Sequence, residues 1–566
     1  MDNAGINKRP EVSIASAIIL LTAIFVLTAR TAASQEKSTQ ETITTFTSMM
    51  SSIPLSSIEQ AEKDGTSYHL SLKDMTKMAL QNNLDIAISD TNEEMYQDKV
   101  LQAFGTYDPA LSFTLGARST TQPNTNLSTS STQGTSNNST IDTWNMQFNQ
   151  NIPTGAAIVG SLNSNRSDTN QTFALFSPQY NTSSSIQITQ PLLRNRSIDQ
   201  SRGTIKIANL DVKINDSQFK QTVTGIIATV QGVYWDLVNA VRDYEIKREA
   251  IKLAQTTVKE NREKVRVGTM SQIDITTAEA AVASRIVDLI TSQQNINAAE
   301  NNLRSTISND RKSEIWQKVV VPTDTADFVE YKVDREIAIN TALKLRPELE
   351  QYDLQLQENH VNYRVQNNLR KWQFDAVGSF GTVGVAGPQS ISALTGQPTV
   401  PSSMVGGVGT AYQTLFTQGM KNWFVGFNVQ IPLRNRALDG QIGQLDVQKK
   451  QLLMNRKSQE QKIAVQIRNA YDDLKSNQQK VEAAKVARQL TEVQLDAEQK
   501  RFKAGMSNNF LILQRQTDLE TAQGAELQAL VAYKKAIITL QQDMYTLLES
   551  NDFEMAGASS GKTNLK

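Results

Sequence analysis

Pro191-Leu192-Leu193-Arg194-Asn195-Arg196-Ser197-Ile198-Asp199 recurs in the second half of the chain as Pro432-Leu433-Arg434-Asn435-Arg436-Ala437-Leu438-Asp439. Working outward, two further stretches recur. Val265-Arg266-Val267-Gly268-Thr269-Met270-Ser271 returns loosely as Arg501-Phe502-Lys503-Ala504-Gly505-Met506-Ser507. Ala79-Leu80 with Leu84 returns as Ala342-Leu343 with Leu349. The matches keep one order in both halves, so the chain is an internal duplication.

Each half reads helix, β region, long helix, turn, helix. The first repeat covers residues 71–309, with its β region at about 106–192 and its turn at 267–271. A connector, 310–333, leads to the second repeat at 334–550, with a β region at about 372–433 and a turn at 504–507. Ser71-x-x-Asp74 is a capping box opening a helix that runs to Phe104. Its counterpart runs from Asp334 to Lys371. The long helices are expected from Ser197 to Arg266 and from Leu438 to Lys503. Ile226, Val230, Val233, Leu237, Val241 and Tyr244 step by three and four, as a narrow coiled-coil seam does, and Ile463, Ile467, Ala470 and Leu474 repeat the pattern. A helix of about 68 residues spans about 100 Å. The two shorter helices of one half sum to about the same length, so a long helix can be paired along its course, as in a tube or stalk.

The β regions have the other period. Leu111, Phe113 and Leu115 alternate with Ser112, Thr114 and Gly116, and Trp144, Met146 and Phe148 alternate with Asn145, Gln147 and Asn149. Trp423, Val425, Phe427 and Val429 alternate with Phe424, Gly426, Asn428 and Gln430. A sheet between lipid and water has this pattern; so does a soluble sheet with one face on a core. The export leader described below favours lipid. Asn151-Ile152-Pro153-Thr154-Gly155 reads as a hairpin turn, and Ser119–Thr140 is a polar loop containing the sequon-like Asn126 and Asn138. A few strands cannot close a barrel, and an open edge in lipid is costly, so the lipid reading requires several chains.

The 566 residues carry 57 Lys+Arg and 57 Asp+Glu, two His and no Cys. Zero net charge argues against nucleic acid as a partner. The absence of Cys excludes disulfides, thiolate metal sites and thiol nucleophiles. His69 and His360 stand apart from any acid or nucleophile, so no catalytic, cofactor or metal site is expected. Gly378, Gly381, Gly384, Gly387, Gly406, Gly407 and Gly409 read as strand ends and loop rather than a phosphate loop, which needs a strand, tight turn and helix. Lys8 and Arg9, an apolar run from Ser13 to Ala29 and small residues to Ala33 form a signal peptide, 1–33. An uncleaved anchor is the competing reading. A polar segment, 34–70, follows, and residues 551–566 form a polar tail expected to be disordered.

These features together resemble the TolC family of outer-membrane efflux and secretion channels. The residues carrying the resemblance are Arg346-Pro347-Glu348-Leu349, the strand ends Gln190-Pro191-Leu192 and Ile431-Pro432-Leu433, and the turns Arg266-Val267-Gly268 and Phe502-Lys503-Ala504-Gly505, over about residues 71–550. The resemblance implies a mostly α, duplicated homotrimer. Four strands per chain would form a β-barrel in the outer membrane, continued by a long periplasmic α-helical coiled-coil barrel. It implies a water-filled exit duct working with a periplasmic adaptor and an inner-membrane pump. An exported coiled-coil stalk without channel activity is the alternative. The first β region is longer by about two dozen residues, one hairpin, which either joins the barrel or lies outside it.

The site residues follow from the same resemblance. Val267, Gly268, Ala504, Gly505 and Met506 would form the adaptor-docking turns. Lys and Arg before a Gly are also ordinary helix-ending chemistry. Asp274 is a tunnel-entrance candidate, and equally the capping partner of Ser271. Family members carry paired carboxylates at the positions of Leu511 and Gln514 and a basic partner at that of Ser507. This chain carries none of these, so an acidic ring is not expected. Leu111, Phe113, Leu115, Trp423, Val425 and Phe427 are expected to face lipid.

Overall fold

The structure, a computed structural model, describes residues 56–123, 136–171, 174–389, 391, 397, 400–417 and 420–551. The leader, most of the polar segment, the middle of the 119–140 loop with Asn126, and the tail beyond 551 lie outside these residues.

In chain order α1 (Ser57–Asp64) and β1 (Ser67–Leu70) precede the first repeat, which comprises α2 (Leu72–Asn82), α3 (Leu84–Phe104), β2 (Ala110–Pro123), β3 (Ser136–Asn151), β4 (Ala157–Thr169), β5 (Gln179–Pro191), α4 (Gln200–Arg266) and α5 (Gln272–Ile307). After β6 (Val319–Pro322), the second repeat comprises α6 (Arg335–Leu345), α7 (Pro347–Leu369), β7 (Gln373–Ala386), α8 (Val408–Thr417), β8 (Met420–Gln430), α9 (Arg436–Lys503) and α10 (Asn509–Met544). The long helices end where the sequence predicts. The Ser71–Asp74 capping box is present and holds the Asp74 carboxyl below its ordinary value, chiefly through the Ser71 side-chain hydrogen bond.

The helix expected over Ser71–Phe104 is two helices, broken at Asn83, and that over Asp334–Lys371 is broken at Arg346. Asn83 (φ −68°, ψ 128°) and Arg346 (φ −67°, ψ 123°) share one extended conformation. Pro347 disfavours helical geometry at Arg346; no proline follows Asn83. Side chains anchor both breaks. Asn83 Nδ2 donates to the Thr306 carbonyl at 2.7 Å, and Arg346 Nε to the Asp543 carbonyl at 2.7 Å. Thr306 and Asp543 are each the penultimate residue of their repeat's last helix. The duplication therefore extends to side-chain bonding that the sequence match did not include.

The chain forms two compact units, each drawing on both repeats. Of the described residues, one takes 56–84, 226–333 and 469–542. Its α4 core stripe is Ile227, Val230, Tyr234, Leu237 and Tyr244. Ile226, Val233 and Val241 of the expected seam are only half-buried, since the 3.6-residue turn drifts off a strict heptad. Two regions read as irregular are ordered here. Ser67–Leu70 pairs in parallel with Val319–Pro322, and α1 carries its own capping box at Ser56 and Glu59. The connector is strapped by two buried tyrosines. Tyr234 Oη donates to Asp324 Oδ2 at 2.6 Å, and Tyr533 Oη donates to the Val329 carbonyl while accepting from Tyr331 N–H.

The second unit, drawn from the described residues of 85–225, 334–468 and 543–551, holds a six-stranded antiparallel sheet in the order β2-β3-β4-β5-β7-β8. The extra hairpin thus joins the sheet, giving six strands where the family resemblance implied four. Gly155 (φ +87°) makes the β3–β4 turn, its N–H bonding Ile152 O at 2.8 Å. Strand pairing continues from Ser119 to Pro123 opposite Ser136 to Thr140, inside the stretch read as loop. The segment around Gly406, Gly407 and Gly409, also read as loop, leads into α8, whose Ala411, Thr414 and Leu415 are buried. Its Gly and Thr content hid a ten-residue helix that packing, rather than propensity, stabilises.

Candidate functional site

The sheet register decides what its two faces are. Directly opposed residues in antiparallel strands share a face. Leu111 opposes Phe148, Phe113 opposes Met146, and Leu115 opposes Trp144. The same face continues through Ile158, Leu162, Ile186, Ile188 and Phe380 to Trp423, Val425 and Phe427. The opposite face carries Ser112, Thr114, Asn145, Gln147, Ser161, Asn163, Ser185, Gln187, Asn422 and Asn428. The six expected lipid-facing residues therefore lie on one apolar face, each more than half exposed, Leu115 at 78% and Val425 at 77%.

The apolar band crosses the sheet on a slant. Its centre is near Phe113 on β2 and near Gly426 on β8, between Val425 and Phe427. The register carries Phe113 through Met146, Leu162, Ser184 and Thr382 to Lys421. From Lys421 to position 426 is about 17 Å along the strand, against about 24 Å across five strand spacings. A level apolar layer therefore requires strands tilted by about 35°, within the range of membrane barrels. Beyond the band, Arg166 bridges Asp142 and Asp168, each at 3.0 Å.

The two interhelical turns are the second site, in the other unit. Each ends its long helix with the same pair of bonds. Gly268 N–H donates to Val265 O and Thr269 N–H to Lys264 O; Gly505 N–H donates to Phe502 O and Met506 N–H to Arg501 O. This is the Schellman motif, with its glycine left-handed: φ is +78° at Gly268 and +76° at Gly505. Val267 and Met506 project outward, 62% and 73% exposed, and Gly268, Ala504 and Gly505 are exposed beside them.

Buried polar groups, which the sequence reading did not single out, join these turns. Asn261 Nδ2 donates to Asn509 Oδ1 at 2.8 Å, and Asn509 Nδ2 to the Asp274 carbonyl at 3.0 Å. Lys264 Nζ donates to Phe502 O at 3.2 Å and lies 3.3 Å from the centroid of that ring. The surrounding burial lowers the Lys264 pKa. Lys264 was legible only as a helix-ending cation; nothing in the spacing marked the asparagines.

Asp274 closes the Ser271 capping box, its carboxylate accepting from Ser271 N–H at 3.4 Å. Leu511 and Gln514 lie in the first turns of α10, where Gln514 Nε2 donates to Asp518 Oδ1 at 2.9 Å. Ser507 Oγ donates to Glu498, a buried acid that Arg501 approaches to 3.6 Å. Among the described residues no cluster of His, Asp or Glu is arranged to hold a metal ion. None of their helices is long and apolar enough to cross a membrane.

The fold and the apolar sheet face define a protein of the outer-membrane channel class. The family described as outer membrane efflux protein matches residues 157–309 and 338–544, and the chain belongs to it. Its function is that of an outer-membrane efflux channel, and it resides in the outer membrane. Among solved structures, the CmeC outer membrane channel of Campylobacter jejuni is similar at 14% identity and TM-score 0.57, covering 84% of this chain and 86% of that one. VceC of Vibrio cholerae is similar at 12% identity and TM-score 0.55, covering 84% and 95%. The open-state MtrE channel of Neisseria gonorrhoeae is similar at 16% identity and TM-score 0.54, covering 84% and 89%. These likenesses concern the fold. No curated protein sequence matches the chain.

Proposed function

We propose that three copies pool their sheets into one closed barrel and form an exit duct served by a periplasmic adaptor and an inner-membrane pump. The observation that carries this reading is a sheet with an apolar face slanted for tilted strands and two edges, β2 and β8, that pair with no other strand among the described residues. In hydrocarbon each unpaired backbone group costs several kcal/mol, so the edges demand partners. The apolar face meets lipid and the face of Asn, Ser and Gln lines the lumen. The adjoining turns at Gly268 and Gly505 form the periplasmic mouth, where Val267 and Met506 supply exposed apolar surface to the adaptor. Asp274 serves there as a helix cap. Leu511 and Gln514 stand where the resemblance implies paired carboxylates, so the entrance lacks that acidic ring.

Mass measurement of the detergent-purified protein checks the assembly, with three chains expected and a bilayer conductance accompanying them. A folded monomer stable in lipid would overturn the three-copy reading.

A further inference from the structure

The short helix α8 rests on the apolar face of the sheet, at the end remote from α4 and α9. Gly384 makes this seat possible: a Cβ there would stand 2.2 Å from Ala411 O. Thr182 Oγ1 donates to Ala411 O at 3.0 Å, and Thr414 Oγ1 to Val385 O at 3.3 Å. Tyr412 reaches sideways across the sheet, its hydroxyl accepting from Trp144 Nε1 at 3.2 Å and meeting Ser164 Oγ at 2.7 Å. Val408, Tyr412 and Phe416, spaced by four, make the flank turned toward β3 and β4. Phe416 is 77% exposed. Thr410 and Thr417 make the other flank.

The height of this helix follows from the slanted band. On β5 the band centres between Ile186 and Ile188, five residues from Thr182. With strands tilted by about 35°, that separation is about 14 Å along the membrane normal, close to half the hydrocarbon thickness. Lys421 on β8 is equally far from its own band centre, so its ammonium sits at the same level. Trp144 lies only two residues from Met146, the centre on β3, so the flank carrying Tyr412 and Phe416 leans over the hydrocarbon. An apolar flank facing the core, a polar flank facing away and a cation at headgroup level are the attributes of an interfacial helix.

We propose that α8 is an interfacial helix embedded in the outer leaflet, with Phe416 entering the acyl boundary and Lys421 meeting the phosphate of an outer-leaflet lipid. This rests on the lipid-facing reading of the sheet and extends it to a second element.

The chain has no Cys, so Phe416→Cys, Thr417→Cys and Val425→Cys can each be labelled singly with a nitrobenzoxadiazole dye. The labelled full-length protein is reconstituted in phosphatidylethanolamine–phosphatidylglycerol vesicles containing spin-labelled phosphatidylcholine. Lipid quenching at position 416 is expected to exceed that at 417 by about threefold, with iodide quenching in the reverse order. Lipid quenching at 425 with iodide access at 416 overturns the interfacial helix and leaves the lipid face intact. Shielding of 416 from both quenchers also overturns it, in favour of burial against a neighbouring copy. Failure of lipid quenching at 425 removes the lipid face itself, and the proposal with it.

Discussion

Arg346 grips Asp543 twice, from Nε to the backbone carbonyl at 2.7 Å and from Nη2 to Oδ1 at 2.8 Å. The guanidinium is buried and also donates to Gln466 Oε1 at 2.8 Å. Burial raises the Asp543 pKa and the adjacent arginine opposes the rise. Arg346 is buried and Asp543 half-buried, so Arg346→Ala leaves a partly desolvated carboxylate without its partner and should cost about 1–3 kcal/mol. Arg346→Lys should recover little, because a lysine cannot reproduce the planar fork. Thermal melting of the detergent-solubilised protein, followed by circular dichroism, checks both. A loss below about 1 kcal/mol would show the pair to be dispensable.

The coupling between the two turns is measurable as a double-mutant cycle. Asn509→Ala leaves the buried Asn261 amide without this acceptor, at a cost of about 1–3 kcal/mol. Asn261→Ala on top of it should cost less than it does alone, since its partner is already gone. Strict additivity would mean that the 2.8 Å bond between them does not couple the turns.

Among the described residues, and apart from the flanking ones, no atom lies within 4 Å of the place a Cβ would take at Gly505 or Gly268, so a side chain there meets no wall. The cost of substitution is that of the left-handed backbone. Gly505→Val should distort the turn at about 1–2 kcal/mol, and Gly505→Asn should be milder because asparagine tolerates this region. Assembly should survive in both, and adaptor binding, measured by pull-down with the purified adaptor, should fall for valine. Undiminished binding by an assembled Gly505→Val protein would remove this turn from the docking surface.

Val425→Arg places a charge in the apolar band and should cost about 2–4 kcal/mol near the bilayer midplane. Asn428→Arg lies on the other face and should assemble normally with altered single-channel conductance. Equal damage from both would show that the faces are not lipid and lumen.

Glu358 lies against Asp211 in the second unit, and its pKa is pushed up to about 7, chiefly by burial and then by that neighbouring carboxyl. The folded state therefore holds a proton that the unfolded state releases near the ordinary carboxyl value. Stability falls as pH rises from about 4.5 towards 7 and is then level. Glu358→Gln should remove this slope, raising the melting temperature at pH 8 relative to wild type and changing it little at pH 4. Melting curves at the two pH values decide it, and an unchanged slope would exclude this carboxyl as the cause.

What the sequence disclosed, and what it hid, divides by the range of the interaction. The Ser71–Asp74 and Ser271–Asp274 boxes, the glycines closing the long helices and the alternation of Trp423 to Val429 depend on neighbours a few residues apart. All are legible in one strand of text. The pairing of Ser67–Leu70 with Val319–Pro322 joins four-residue segments across the whole first repeat, without a pattern long enough to stand out. The Asn261–Asn509 bond joins different repeats, and neither asparagine has a local role that would mark it. Helix α8 failed differently: its glycines and threonines disfavour a helix, and only the seat on Gly384 and Thr182 makes one.

The order β2-β3-β4-β5-β7-β8 carries a parity condition. Its strands alternate in direction and are even in number, so β2 and β8 run oppositely. When β8 of one copy meets β2 of the next, the seam is antiparallel like every other ladder in the sheet. The interface is head-to-tail, and the ring closes when the arcs of its copies complete a circle. A hairpin is thus the smallest insertion that keeps every seam antiparallel, since an added single strand would force a parallel one. In three copies the hairpin raises the total from twelve strands to eighteen, and barrel diameter grows roughly in proportion to strand number. In the proposed three-copy barrel, the two dozen residues by which the first repeat exceeds the second would widen the bore by about half without altering how one copy joins the next.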